Sequence, residues 1–109
     1  MRFDLPESID AMLAGRKTQT RRPDPRGFWL AKKPGSAITI VHNGEQLGRA
    51  TVVRTWRAPI SAAAWREEGY PSRLHFWHTW QALYPKAQGS DMVTAIEFGD
   101  VRWTEQAHD

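Results

Sequence analysis

Leu13-Ala14-Gly15-Arg16-Lys17-Thr18-Gln19-Thr20-Arg21-Arg22 joins an amphipathic helix to an extended segment, and its reading decides the fold. On its N-terminal side Pro6 suits a first helical turn, and Ile9, Met12 and Leu13 recur at helical spacing. A short helix is therefore expected over 6–14. Gly15 stands where a left-handed helix cap belongs. Behind it the run gathers a lysine, two threonine hydroxyls and three arginines. A lysine beside a hydroxyl can act as base to nucleophile, and clustered arginines attract an anionic or nucleotide-like ligand. A solvated basic turn is the plainer reading of such a run.

Downstream, Pro23, Pro25, Gly27, Pro34 and Gly35 mark a loop that also carries Phe28 and Trp29. Ala37–His42 is rich in β-branched residues and is followed by Asn43-Gly44, a strong hairpin signal. A return strand is expected from about Gln46 to Trp56. Ser61 can cap a short helix closed by Gly69, and Ser72 a second one bearing Phe76, Trp77, Trp80, Leu83 and Tyr84 before Pro85. The last strand reads Met92–Phe98, with a shorter one at Val101–Trp103. Strands far apart in sequence must pair. An α+β architecture follows, a small mixed β-barrel of about five to six strands with two to three flanking helices, in one domain over 1–109.

Composition sets bounds. No apolar run approaches a bilayer span, the N-terminus lacks the apolar stretch of a signal peptide, and the cytoplasm is the expected location, with no membrane contact. With no cysteine, the chain has no disulfide, thiol nucleophile or thiolate metal site. The net charge of +3 is unevenly spread, seven of fifteen basic residues lying between Arg16 and Lys33. That asymmetry suits phosphate or RNA and is equally compatible with solubility alone.

Lys17 and Thr20 are the first candidates for chemistry, since a threonine hydroxyl is a weak nucleophile until a base takes its proton. Neighbouring Arg16, Arg21 and Arg22 disfavour a protonated lysine. In a regular strand, residues three apart face opposite ways, so the pair requires the chain to turn just after Gly15. On spacing alone, an ordinary strand threonine and a solvated lysine are the simpler reading. Glu67 and Glu68 come next. An acid before the helix-closing Gly69 is electrostatically misplaced, and a carboxyl in a cleft there can protonate a leaving amine; a solvated acid pair is the ordinary alternative. His75 and His78 share a helix face but lack a third ligand, so no metal is expected. Of six tryptophans, the loop residue Trp29 is the candidate to stack on a base.

Together these pieces resemble the ASCH domain, a small β-barrel family within the PUA-like superfamily. The likeness rests on the helix ending in Leu13-Ala14-Gly15, the Gly-Arg-Lys-Thr-x-Thr-x-Arg run, and the Gly44 hairpin with its long return strand. It extends to Glu68-Gly69, the helix ending Leu83-Tyr84-Pro85, and Ile96-Glu97-Phe98 in the closing strand. Small members of the family include amidohydrolases that remove the acyl group from N4-acetylcytidine. The resemblance implies Thr20 as nucleophile, Lys17 as its base and a glutamate before the second long helix as the acid, which falls on Glu68 with the adjacent Glu67 as the alternative. Arg22 fills the family's arginine position, and Arg21, Trp29 and Glu67 are further candidates around the substrate. Gln19 and Arg21 stand where related enzymes can carry aliphatic residues. An acylated nucleoside is the implied partner, and no cofactor is required. Because fold does not fix function, two alternatives stand beside it: a non-catalytic RNA or modified-base binding module, and a ribonuclease using the same cleft.

Overall fold

The computed structural model describes residues 1–104. Helix α1 (Pro6–Leu13) starts on a proline that needs no amide partner. It buries Ile9, Ala11 and Met12, whereas Leu13, expected on the same face, is exposed where the helix ends. Four strands follow: β1 (Gln19–Arg22), β2 (Ala37–His42), β3 (Glu45–Pro59) and β4 (Met92–Trp103). They form one antiparallel sheet in the order β1-β4-β3-β2, curled into a half-barrel. Helix α2 (Arg73–Leu83) begins at Ser72, whose hydroxyl accepts the His75 amide at 3.1 Å.

The β2–β3 turn is the one the sequence announces. Asn43 and Gly44 take φ of 51° and 78°, the positive pair that a two-residue hairpin matching strand twist requires. Register shifts in β3 opposite β4 bend both long strands and give the sheet its curl.

Three expectations need correction. The sheet is antiparallel, with a single parallel bridge from Arg2 to Val41, and it has four strands among the described residues. The strand count falls because Met92–Trp103 is continuous. Asp100 adopts φ of 48°, and the register shift between Arg49 and Thr51 absorbs the irregularity beside it. The helix expected from Ser61 is a 3-10 turn over Ile60–Ala62 followed by one further turn ending at Gly69. Ile60 N–H bonds Asp91 O and Ser61 N–H bonds Gly89 O, tying the segment to the lead-in of β4. Ala63 turns extended (φ −61°, ψ 134°) to enter the second apolar cluster, so tertiary packing overrides the alanines' helix propensity.

Apolar side chains form two clusters. Phe3, Ile9, Met12, Ile38, Ile40, Ala50, Val52, Ile96 and Phe98 pack α1 on the sheet. Ile60, Ala63, Phe76, Trp80 and Val93 pack α2 on the far ends of β3 and β4.

Gly69 ties α1 to the turn before α2. It has φ of +91°, and a Cβ there would lie 2.7 Å from Ala11 Cβ and 3.2 Å from Lys17 Cβ. The alanine would combine left-handed strain with a clash against two backbone-anchored groups. Gly69→Ala is expected to cost about 2 kcal/mol or more and to lower the thermal midpoint by roughly 8 °C. A melt within 2 °C or so of wild type would show that the turn can shift freely away from α1.

Candidate active site

Three chain segments meet beside β1. The first is the exit from α1, where Gly15 at φ +75° reverses the chain and Ala11 O accepts the amides of Arg16 (2.8 Å) and Lys17 (3.2 Å). This turn lies before the strand, so strand alternation does not separate Lys17 from Thr20. The second is β1 itself, paired through Thr20 with Ile96 and through Arg21 with Ala95. The third is the turn closed by Gly69. The Glu67 carbonyl accepts the amides of Thr18 (2.7 Å) and Gln19 (2.9 Å), docking the turn on the strand's lead-in. Glu68, the next residue, is thereby turned inward.

Lys17, Thr20, Arg21, Arg22, Glu68 and Tyr70 line one cavity of about 100 Å³, walled elsewhere by Phe3, Phe76, Trp80 and Leu83. The Lys17 amine donates to Glu68 O at 3.0 Å and to Glu68 Oε1 at 3.2 Å. Arg21 Nη1 donates to Glu68 Oε2 at 3.0 Å and to Gln19 Oε1 at 3.1 Å. Lys17, Glu68, Thr20 and Arg21 are each no more than 5% exposed. One carboxylate therefore holds two cations away from water. No hydrogen bond joins Thr20 to Lys17 among the described residues, although both line the same cavity.

Burial pulls the Lys17 pKa below its ordinary 10.5; Glu68 opposes this, and the nearby Arg22 and Arg21 add to it. The Tyr70 hydroxyl is pushed up to about 12 by burial first, then by Glu68 and Glu7. It stays protonated and can donate a hydrogen bond into the cavity. Tyr70 is also fixed edge-on to Phe76, with ring centres 5.3 Å apart.

The two glutamates separate cleanly. Glu67 is exposed beside Arg16 and Arg66 on an outer depression, and contributes to the site through its carbonyl. Glu68 alone reaches Lys17. Trp29 is also placed differently from expectation. It packs half-buried against the first apolar cluster, edge-on to Phe28, and does not line the cavity. Asp24 is the reason: its Oδ2 accepts the amides of Trp29 and Leu30 at 3.0 Å each and the Thr94 hydroxyl at 2.9 Å. Burial raises the Asp24 pKa, but the donors at Leu30, Thr94 and Trp29 outweigh it and leave the carboxyl below its usual range. The loop is thus pinned over the sheet.

Tyr70 and Trp80 are site residues that sequence reading missed as such. Tyr70 directly follows Glu68-Gly69, the one signal that could have marked it. Trp80 reads as an ordinary core position and is one as well. His75 and His78 are exposed on α2, and among the described residues no three metal-ligating side chains gather.

A curled antiparallel half-barrel flanked by two helices, with a buried polar cavity at its first strand, defines the class of protein. Solved structures similar to it include an ASCH domain from Lactobacillus crispatus, at TM-score 0.69 and 12% identity over 94% of this chain and 77% of that one. The ASCH protein of Zymomonas mobilis, as its S128A mutant, gives 0.67 and 16% over 96% and 69%. A DUF984 protein from Enterococcus faecalis gives 0.63 and 18% over 89% and 69%. The chain has the ASCH-domain fold. No protein-family model matches it, and no curated protein sequence matches it significantly. Among the described residues, no helix is long and apolar enough to cross a membrane.

Proposed function

We propose that this chain is an amidohydrolase that removes the acyl group from N4-acylated cytidine or cytosine. The observation that carries the reading is that the buried side chains of Lys17, Thr20 and Glu68, from three separate segments, line one partly open cavity. A neutral lysine amine has two N–H groups and one lone pair. Its two donors match the two Glu68 acceptors, leaving the lone pair for the Thr20 hydroxyl. Catalytic hydrogen bonds are often unmade or long in an unliganded site and form when substrate binds.

Lys17 takes the Thr20 proton, and the threonine oxygen attacks the acyl carbonyl carbon. The tetrahedral oxyanion then collapses, the carbonyl–N4 bond breaks, and N4 leaves with a proton. Once Lys17 has taken that proton, Glu68 lies as a carboxylate between the Lys17 and Arg21 cations, and it acts as an acid by relaying the proton to N4. Water hydrolyses the threonyl ester, giving the carboxylate and restoring the hydroxyl. Arg21 has a buried Nε–H without a partner among the described residues, and we assign it to the oxyanion. One such donor is worth about 3–4 kcal/mol.

The test is to incubate purified protein with N4-acetylcytidine and follow cytidine formation by ultraviolet absorbance. A folded protein that gives no turnover would return the cavity to modified-base or RNA binding. The pH profile adds a second check. The active form has neutral Lys17, so kcat/KM should rise with pH and level off below 10.5, the ordinary lysine value. In the window between the lowered folded value and 10.5, the unfolded chain binds the extra proton, so stability should also rise with pH. A rate that climbs only above 10.5 would remove Lys17 from the role of base.

A further inference from the structure

Charge in the cavity does not balance. Glu68 spends one carboxylate oxygen on Lys17 and the other on Arg21. Arg22 lines the same cavity and makes no hydrogen bond or ion pair among the described residues. Its Nε is buried without a partner, and its guanidinium carbon lies over the Phe3 ring at 4.8 Å from the centroid. Asp4, the other acid lining the cavity, is exposed. A buried guanidinium N–H normally has an acceptor facing it. Here the Phe3 ring backs the guanidinium while its Nε–H stays unused, which leaves the fork open to a planar or tetrahedral oxyanion.

We infer that Arg22 is an anion subsite, and that the ligand of this cavity carries a carboxylate or phosphate group that pairs with it. The inference rests on the cavity being the ligand-binding site proposed above. Arg22 follows Thr20 by two on β1, so the two side chains leave the same face of the strand about 7 Å apart. An anion held by Arg22 is therefore offset along the strand from the reacting carbonyl at Thr20. Two sources place an anion there: a carboxylate at the far end of the acyl chain, or a phosphate on the nucleotide.

Two measurements test this. The first needs no turnover: thermal melting at fixed ionic strength with succinate, inorganic phosphate, cytidine 5′-monophosphate or cytidine, against chloride alone. At least one of the anions should raise the midpoint by about 4 °C or more at saturation, well beyond any effect of cytidine. Arg22→Met should lose that shift. Arg22→Lys, which keeps the charge without the fork, should keep less than half of it and covers the case in which the methionine variant does not fold. No anion effect in wild type, or an equal effect in a folded Arg22 variant, overturns the subsite.

The second measurement compares hydrolysis of N4-acetylcytidine, its 5′-monophosphate and N4-succinylcytidine. One charged substrate should exceed the neutral one at least tenfold in kcat/KM, and which one does so identifies the source of the anion. Anion-dependent melting without hydrolysis of any of the three would sink the amidohydrolase reading and keep the subsite. Turnover of N4-acetylcytidine with neither anion preference nor melting shift would do the reverse.

Discussion

Thr20→Ala should lower kcat/KM on N4-acetylcytidine by at least about 10³-fold while leaving the fold intact. Removing a nucleophile leaves only binding and oxyanion stabilisation, which by themselves give a small residue of catalysis. The structural cost should be slight, because the Thr20 hydroxyl makes no hydrogen bond among the described residues. Only a methyl and a hydroxyl leave a site that already borders a cavity. The thermal midpoint should therefore stay within about 5 °C of wild type. Thr20→Ser, which keeps the hydroxyl, should retain measurable turnover. An alanine variant that still hydrolyses the substrate within tenfold of wild type would show that water attacks directly, with Thr20 as a bystander.

Glu68→Ala should destabilise the chain by about 3–5 kcal/mol, because removing one partner of a buried ion pair strands the other. Here it strands two. Lys17 can escape by releasing its proton, since burial already favours the neutral amine. Arg21 has no such exit: its guanidinium does not deprotonate, and only Gln19 would still accept from it. The expected fall in midpoint is about 10–20 °C, and denaturant unfolding would give the free energy directly. Glu68→Gln keeps the shape and an acceptor oxygen, so it should lose clearly less stability. It should nevertheless lose turnover, because an amide cannot relay the proton. If Glu68→Ala unfolds at the wild-type denaturant concentration, the carboxylate is not holding the two cations together, and the site as described is wrong.

Much of this was legible from local chemistry. Pro6 and Gly15 delimit α1, Asn43-Gly44 sets the hairpin, and Ser72 caps α2, because each of these is decided within a few residues. The ASCH-like order of motifs likewise anticipated the fold. What failed was non-local. The alanine run 62–64 has helix propensity, yet the segment is tied to Asp91 and Gly89, about thirty residues away, and Ala63 turns extended into the second apolar cluster. Trp29 in its proline-rich loop could either pack back or face a ligand, and Asp24 decides for packing by drawing that loop down onto Thr94. Neither partner is visible from spacing.

The same division holds for the site. By itself the sequence determined which groups were available: a lysine, a threonine and arginines behind a helix-ending glycine, and two adjacent glutamates before a second glycine. Tertiary structure decided which of them meet. The turn at Gly15 takes Lys17 off the strand, and Gly69, close against Ala11, carries Glu68 to it across fifty-one residues of chain. It also decided that both Glu68 oxygens go to Lys17 and Arg21, which leaves Arg22 without an ion-pair partner among the described residues. Charge balance in a buried cavity depends on which side chains share it, and that is fixed only when the sheet curls and the helices close over its first strand.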